Sequence, residues 1–298
     1  MVMSMRIVVF ASSVLIYWAP SLIAQKGNYP PKIEAAEEYI YKRSSHTDLK
    51  LWMFKPENWT ALDSRAAIVF FFGGGWSSGS PAQFVPHSEY LSKRGMVAFA
   101  ADYRVKSRHG VKANACVEDA RDAMAFLRLN ASTLGINPER IASAGGSAGG
   151  HLAACVGILP GALASKANAM ALFNPAVVLA PVEALESDQG DRFSGLRERM
   201  GIDPIELSPY HKITSEAPPC IIFHGIDDEK VPFLTVELFA DKMTEVGANC
   251  VLHGYKGEGH GFFNANRKRK GTGPHPFSDT LKQLDDFLVD LGWLEQLE

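Results

Sequence analysis

The sequence predicts an α/β architecture, a mostly parallel central sheet with helices on both faces. Three observations predict it. Continuous apolar runs of strand length, at 66–72, 96–101 and 219–223, alternate with segments of helical periodicity. The residues with chemical promise all fall just beyond strand-like runs, where open α/β sheets bind ligands. The 298 residues, 46% hydrophobic and 21% charged, suit one large domain with a sizeable core.

Taken in order, residues 1–24 read as a signal peptide. Arg6 gives a short positive start, an apolar stretch follows from Ile7 to Trp18, and Ala24 closes a plausible cleavage region. The apolar run is shorter than the roughly 20 residues of a bilayer span, so no membrane span is expected after cleavage. Residues 25–298 are expected to form the single mature domain, secreted or periplasmic. Runs at 38–42 and 49–54 alternate around a polar turn, which suits a half-exposed antiparallel hairpin at a sheet edge. The buried run 66–72 ends in Gly73-Gly74-Gly75-Trp76. A helix is expected over 84–93, a buried strand over 96–101, and an amphipathic helix over 114–129 on Val117, Ala120, Met124 and Leu127. A strand follows near 170–179. Residues 181–215 break the rhythm with Pro204 and Pro209 and read as a small insertion able to cover a site. Strands at 219–223 and 250–255 bracket a helix over 235–246, and Leu281, Leu284, Leu288 and Leu291 mark a closing helix.

The stretch 140–151 starts as a strand, turns on glycines and enters small helix formers. Gly145-Gly146-Ser147-Ala148-Gly149 has G-x-S-x-G spacing. A serine on so sharp a strand-to-helix turn needs neighbours without bulk, and the new helix aims free N–H groups at its hydroxyl.

A serine hydroxyl needs a base to take its proton. His260 lies in a glycine-framed loop, Gly257-Glu-Gly-His-Gly261, just past the last strand. The base in turn needs a carboxylate, and Asp227, Asp228 and Glu229 follow the strand at 219–223. An oxyanion needs preplaced N–H donors, for which Gly74, Gly75 and Ala148 are the candidates. Trp76, Tyr103 and Phe262, with Phe263, are candidate pocket aromatics, although aromatics at strand ends are as often core.

These motifs resemble the α/β-hydrolase superfamily, and within it the esterases related to hormone-sensitive lipase and to bacterial acetyl and feruloyl esterases. The resemblance spans residues 45–295 and rests on Gly73–Trp76, Asp102-Tyr103-Arg104, Gly145–Gly149, His224-Gly-Ile-Asp-Asp228 and Gly259-His260-Gly261. It implies the α/β-hydrolase fold, with Ser147 as nucleophile, His260 as base and Asp228 as the acid, since the H-G-x-x-D pattern lands on His224 and Asp228. It assigns Asp102-Tyr103-Arg104 a structural role. One departure stands out: Phe72 replaces the histidine that usually braces the glycine loop.

The implied activity is hydrolysis of short-chain, acetyl-like carboxylic esters, small molecules or acylated carbohydrates, through an acyl-enzyme. It calls for no metal and no cofactor. Two alternatives are weaker. Peptidases of the prolyl-oligopeptidase type carry a large extra domain, for which 298 residues leave no room. Non-catalytic binders on this scaffold typically lose the serine or histidine, and here both are present. A net charge of −3 without a broad basic face argues against nucleic acid. Cys116, Cys155, Cys220 and Cys250 follow no metal spacing and read as buried free thiols, with a Cys220–Cys250 bridge conceivable in an oxidising compartment.

Overall fold

The strands at 65–71, 97–101, 169–173 and 220–225 are nearly continuous apolar runs, and their place inside one sheet explains why. The computed structural model describes residues 29–44, 47–188, 193, 195–268 and 274–297. The proposed signal peptide, residues 1–24, lies outside them. The described residues from Ile33 onward form one compact unit.

Eight strands make one sheet: β1 (Glu37–Arg43), β2 (Asp48–Phe54), β3 (Arg65–Phe71), β4 (Val97–Ala101), β5 (Ile136–Gly146), β6 (Ala169–Phe173), β7 (Cys220–Gly225) and β8 (Cys250–Tyr255). Their spatial order is β1-β2-β4-β3-β5-β6-β7-β8. The pairings β1·β2 and β2·β4 are antiparallel, and all others are parallel. The helices are α1 (Val85–Lys93), α2 (Lys106–His109), α3 (Ala113–Leu129), α4 (Ala148–Ile158), α5 (Leu196–Met200), α6 (Leu234–Glu245) and α7 (Pro276–Asp290). Two apolar clusters lie on the sheet's opposite faces. One packs α3, α4 and α6 against alternate strand residues such as Val69, Phe71 and Ile222; the other packs α1 and α7 against Ile68, Phe70 and Phe223. Among the described residues, no helix is long and apolar enough to cross a membrane.

Two expectations are corrected. The hairpin is not half-exposed throughout, because β2 lies between β1 and β4 and buries Leu51 to Phe54. The strand expected over 170–179 ends at Phe173, where Asn174 turns the chain at φ 44° and leaves the sheet. The insertion holds no strand among its described residues. It is built of 3-10 turns at Glu183–Asp188, Pro204–Leu207 and Pro209–Lys212, with α5 between them. The four cysteines are free; Cys220 and Cys250 stand opposite each other in β7 and β8, and burial pushes the Cys220 thiol up.

Parallel β3, β5, β6 and β7 all end at the same edge of the sheet. Loops leaving those ends converge, and this brings residues from 73 to 264 into one pocket.

Candidate active site

Ser147 sits at the turn from β5 into α4 with φ 55° and ψ −117°, a conformation costly for any residue with a side chain. Two features hold it there. Its N–H donates to Phe173 O at 2.8 Å, and the glycines beside it let α4 descend onto the sheet. A Cβ on Gly149 would lie 2.0 Å from Phe71 O, so α4 packs at a distance open only to glycine. Every residue of α4 is buried, which explains its run of Ala, Gly, Leu and Val.

Ser147 Oγ lies 2.9 Å from His260 Nε2, and His260 Nδ1 lies 2.7 Å from Asp228 Oδ2. The carboxylate accepts the Nδ1 proton, which leaves Nε2 as the acceptor for the serine hydroxyl. Asp228 is anchored on both oxygens. Oδ1 accepts from the backbone N–H of Lys230 (2.8 Å) and Val231 (3.0 Å), and Oδ2 accepts from Asn174 Nδ2 at 2.6 Å. Burial alone would raise this carboxyl, but hydrogen bonds from His224, His260 and the Val231 N–H outweigh it. The carboxyl stays well below the usual carboxylate range and Asp228 remains ionised. His224 itself donates from Nε2 to Val231 O at 2.8 Å, clamping the loop that presents Asp228. Asp227 and Glu229, the other two carboxylates on that loop, are exposed.

His260 is not on a mobile perch. Arg267 Nη1 donates to His260 O at 2.5 Å, and Asn264 Nδ2 donates to Gly261 O at 2.8 Å. Gly74, Gly75 and Ala148 line the same pocket as Ser147 and His260. Gly74 and Gly75 adopt φ of 127° and 62°, and among the described residues their N–H groups have no acceptor. Ala148 opens α4, so its N–H is free by helix geometry.

The brace that a histidine at Phe72 would supply comes from elsewhere. Phe72 stacks on Tyr103 at 4.0 Å, and Tyr103 Oη donates to Phe72 O at 2.7 Å. Gln83 Oε1 accepts from Gly73 N at 2.6 Å, and Gln83 Nε2 donates to Asn264 Oδ1 at 2.9 Å. Gln83 therefore ties the glycine loop to the His260 loop. Trp76, with φ 59°, is held by its Nε1 donating to His151 Nδ1 at 3.1 Å, while His151 Nε2 donates to Leu207 O at 2.7 Å. Burial lowers the His151 pKa to about 4, so the ring is neutral, as this bonding pattern requires.

Of the four pocket aromatics expected from sequence, Trp76 and Phe263 line the cavity and Tyr103 and Phe262 do not. Tyr103 is fully buried as the brace just described. Phe262 is fully buried against Tyr255, while Phe263, in the same apolar cluster, also lines the pocket. Asp102-Tyr103-Arg104 is structural: Arg104 forks onto buried Asp119 with contacts of 2.8 to 3.1 Å. The pocket has a volume of about 700 Å³, and Val178, Leu179, Phe193 and Leu196 give it an apolar wall. Gln83, Asn264 and Arg199, which line the pocket, and Asn174, which holds Asp228, were not expected at the site. Only Phe193, Leu196 and Arg199 carried a signal, through their place in the insertion.

Residues 53–176 match the family described as BD-FAE. The thermophilic esterase 2 of the Planctomycetes species Thermogutta terrifontis, in its propionate-bound form, is 48% identical. That match covers 91% of this chain and 100% of that chain with a TM-score of 0.83. The same esterase phosphorylated by paraoxon superposes at a TM-score of 0.82 with 46% identity, covering 91% of this chain and 100% of that one. Esterase LipC of Mycobacterium tuberculosis is 29% identical over 73% of this chain and 58% of its own length. The acetylxylan esterase of Xylanibacter ruminicola is 27% identical over 89% of this chain and 52% of its own. The chain spans about half the length of the curated relatives it matches. With this fold and these matches, the chain belongs to the esterase group of the α/β-hydrolase superfamily, a class of carboxylic ester hydrolases.

Proposed function

We propose that this chain is an exported serine esterase that hydrolyses short-chain carboxylic esters through an acyl-enzyme. The observation that carries the reading is the continuous hydrogen-bonded chain Ser147–His260–Asp228 beside a loop of unengaged N–H groups. Ser147 Oγ attacks the ester carbon as its proton passes to His260 Nε2. The N–H groups of Gly74, Gly75 and Ala148 hold the developing oxyanion. Collapse of this intermediate expels the alkoxide, which takes the proton from His260 and leaves as alcohol. Water, losing its proton to His260, then attacks the acyl-Ser147 carbon, and the released serine recovers that proton. Asp228 stays ionised throughout and stabilises the imidazolium between the two transfers.

Acyl length is set by the short apolar wall of Val178, Leu179, Phe193 and Leu196. Propionate-bound and butyrate-bound forms of the Thermogutta esterase support short acyl groups. The acetylxylan esterase among the relatives supports acylated carbohydrates as a natural source, and export suits environmental esters. The test is hydrolysis of p-nitrophenyl acetate against longer acyl homologues, with Ser147→Ala beside the wild type. A loss of about a thousandfold or more in the variant is expected, with activity falling as the acyl chain lengthens. Equal, slow rates for both proteins on every ester would remove the esterase reading.

A further inference from the structure

Arg199 stands where two cavities meet. With Lys230 it lines the pocket above Ser147, and with Lys106, Lys112 and Glu198 it lines an adjoining cavity of about 330 Å³. Gly75 and Trp76 belong to both walls. The Arg199 guanidinium lies 4.9 Å from the centre of the Trp76 ring, and Nη2 donates to Gly75 O at 3.0 Å. It packs against bare backbone, since a Cβ on Gly75 would sit 2.5 Å from Nη2. The remaining N–H groups of Arg199 make no hydrogen bond among the described residues.

The charge balance here is opposite to that of the chain. Acids outnumber bases 33 to 30 overall, yet the described walls of the two cavities hold four permanent cations and one carboxylate, Glu198. None of Arg199, Lys230, Lys106 and Lys112 is in an ion pair among the described residues. Arg94 and Arg104 show the contrast: each is paired with an aspartate that raises its pKa. Desolvation lowers the Arg199 guanidinium, and no carboxylate offsets it. A guanidinium fixed at one nitrogen by a backbone carbonyl and stacked on an indole is oriented, with its free edge available. Such a fork matches a carboxylate, while neighbouring lysines add attraction without fixing geometry.

We propose that Arg199, supported by Lys106 and Lys112, forms a subsite for a carboxylate carried by the substrate, so that anionic esters are preferred. This rests on the esterase reading of Ser147 and names the substrate class which that reading leaves open. Because Arg199 also touches the oxyanion loop, its role as a specificity residue must be separated from a bracing role.

Two matched pairs of esters do this with the full chain. Meta-carboxyphenyl acetate against meta-carbamoylphenyl acetate places the charge on the alcohol side. Mono-p-nitrophenyl succinate against p-nitrophenyl butyrate places it on the acyl side. In at least one pair, wild type is expected to favour the carboxylate member by about fivefold or more in kcat/KM, chiefly through KM. That advantage shrinks in about 0.5 M salt, where screening is short-ranged. It collapses towards unity in Arg199→Gln and diminishes in the double variant Lys106→Gln, Lys112→Gln. The ratio within each protein is the readout, so a general loss of activity cancels. The pair that responds identifies which half of the substrate reaches Arg199. Equal treatment of both members in both pairs by wild type overturns the proposal. So does an Arg199→Gln variant that lowers charged and neutral esters alike, which marks a brace. If wild type hydrolyses none of the four esters, the esterase reading itself has failed and takes this subsite with it.

Discussion

The strand-end loops around Ser147 and the insertion over residues 181–215 face each other across one pocket, and they are held in different ways. Asp228 alone has four hydrogen bonds at 3.0 Å or less, and His260, Gly73 and Tyr103 are each fixed by at least one bond to another loop. The insertion keeps its ion pairs to itself and in solvent, as Arg197–Asp203 and Lys212–Glu206 do. Among the described residues, its side-chain hydrogen bonds to the glycine-loop region and α4 are few: Arg199 to Gly75 O, and His151 and Cys155 to Leu207 O. Exposed ion pairs such as Arg197–Asp203 add about 0.2–1 kcal/mol each. The difference separates two tasks. Chemistry needs positions that several contacts fix at once, whereas selectivity needs a wall that sequence change can reshape without disturbing them.

Substitutions on the two sides should therefore differ in kind. Asp228→Asn is expected to lower kcat by roughly 10³- to 10⁴-fold, because the amide cannot hold the His260 tautomer or balance its charge. It should also cost stability. The folded carboxyl titrates below its unfolded value of about 4, so its contribution stands above that pH and is lost as pH falls through the folded value. Urea unfolding of wild type and variant should differ at neutral pH and converge in acid. Gln83→Leu cuts the link between the glycine loop and the His260 loop. A loss of about 10- to 100-fold in kcat with little change in KM is expected, since an oxyanion loop acts on the transition state. Gln83→Glu, which keeps the acceptor for Gly73 N–H, should retain more activity than Gln83→Leu. On the other wall, Phe193→Ala should leave p-nitrophenyl acetate turnover within a factor of about three and raise the relative kcat/KM of octanoyl over acetyl esters roughly fivefold.

The smallest effect lies away from the pocket. His87, on α1, is fully buried among Phe84, Phe173, Phe263 and Phe277, and among the described residues neither ring nitrogen has a partner. Burial lowers its pKa to about 3, so the unfolded chain takes up the proton first as pH falls. Stability is thus intact above about pH 6.5 and declines towards 3. His87→Leu should add about 1 kcal/mol at pH 5 and flatten that acid limb in urea titrations.

Much of this was legible in the chain because strand interiors and strand ends leave different marks. β3, β4 and β7 were visible as unbroken apolar runs, and G-x-S-x-G spacing placed Ser147 on a turn. The choice of Asp228 over Asp227 came from the H-G-x-x-D resemblance, and the hydrogen bond to His260 agrees with it. Aromatic side chains were less readable. Tyr103 and Phe262 stand beside site loops in sequence, yet the direction of a side chain at a strand end depends on what packs beneath it. Gln83 was illegible for a different reason. Its partner Asn264 lies 181 residues away, and nothing local to Pro81–Phe84 announces that contact. His87 carries no local mark of burial either, because Phe263 and Phe277, which cover it, lie far along the chain.

The central claim is that Ser147 carries the acyl group, and trapping that intermediate tests it most directly. Rapid acid quench of the full chain with p-nitrophenyl butyrate, followed by peptide mapping, should place a butyryl group on Ser147. A burst of p-nitrophenol equal to the enzyme concentration should accompany it whenever deacylation limits turnover. Ser147→Ala should show neither. Butyrylation at another residue, or a burst that survives in Ser147→Ala, would contradict the account.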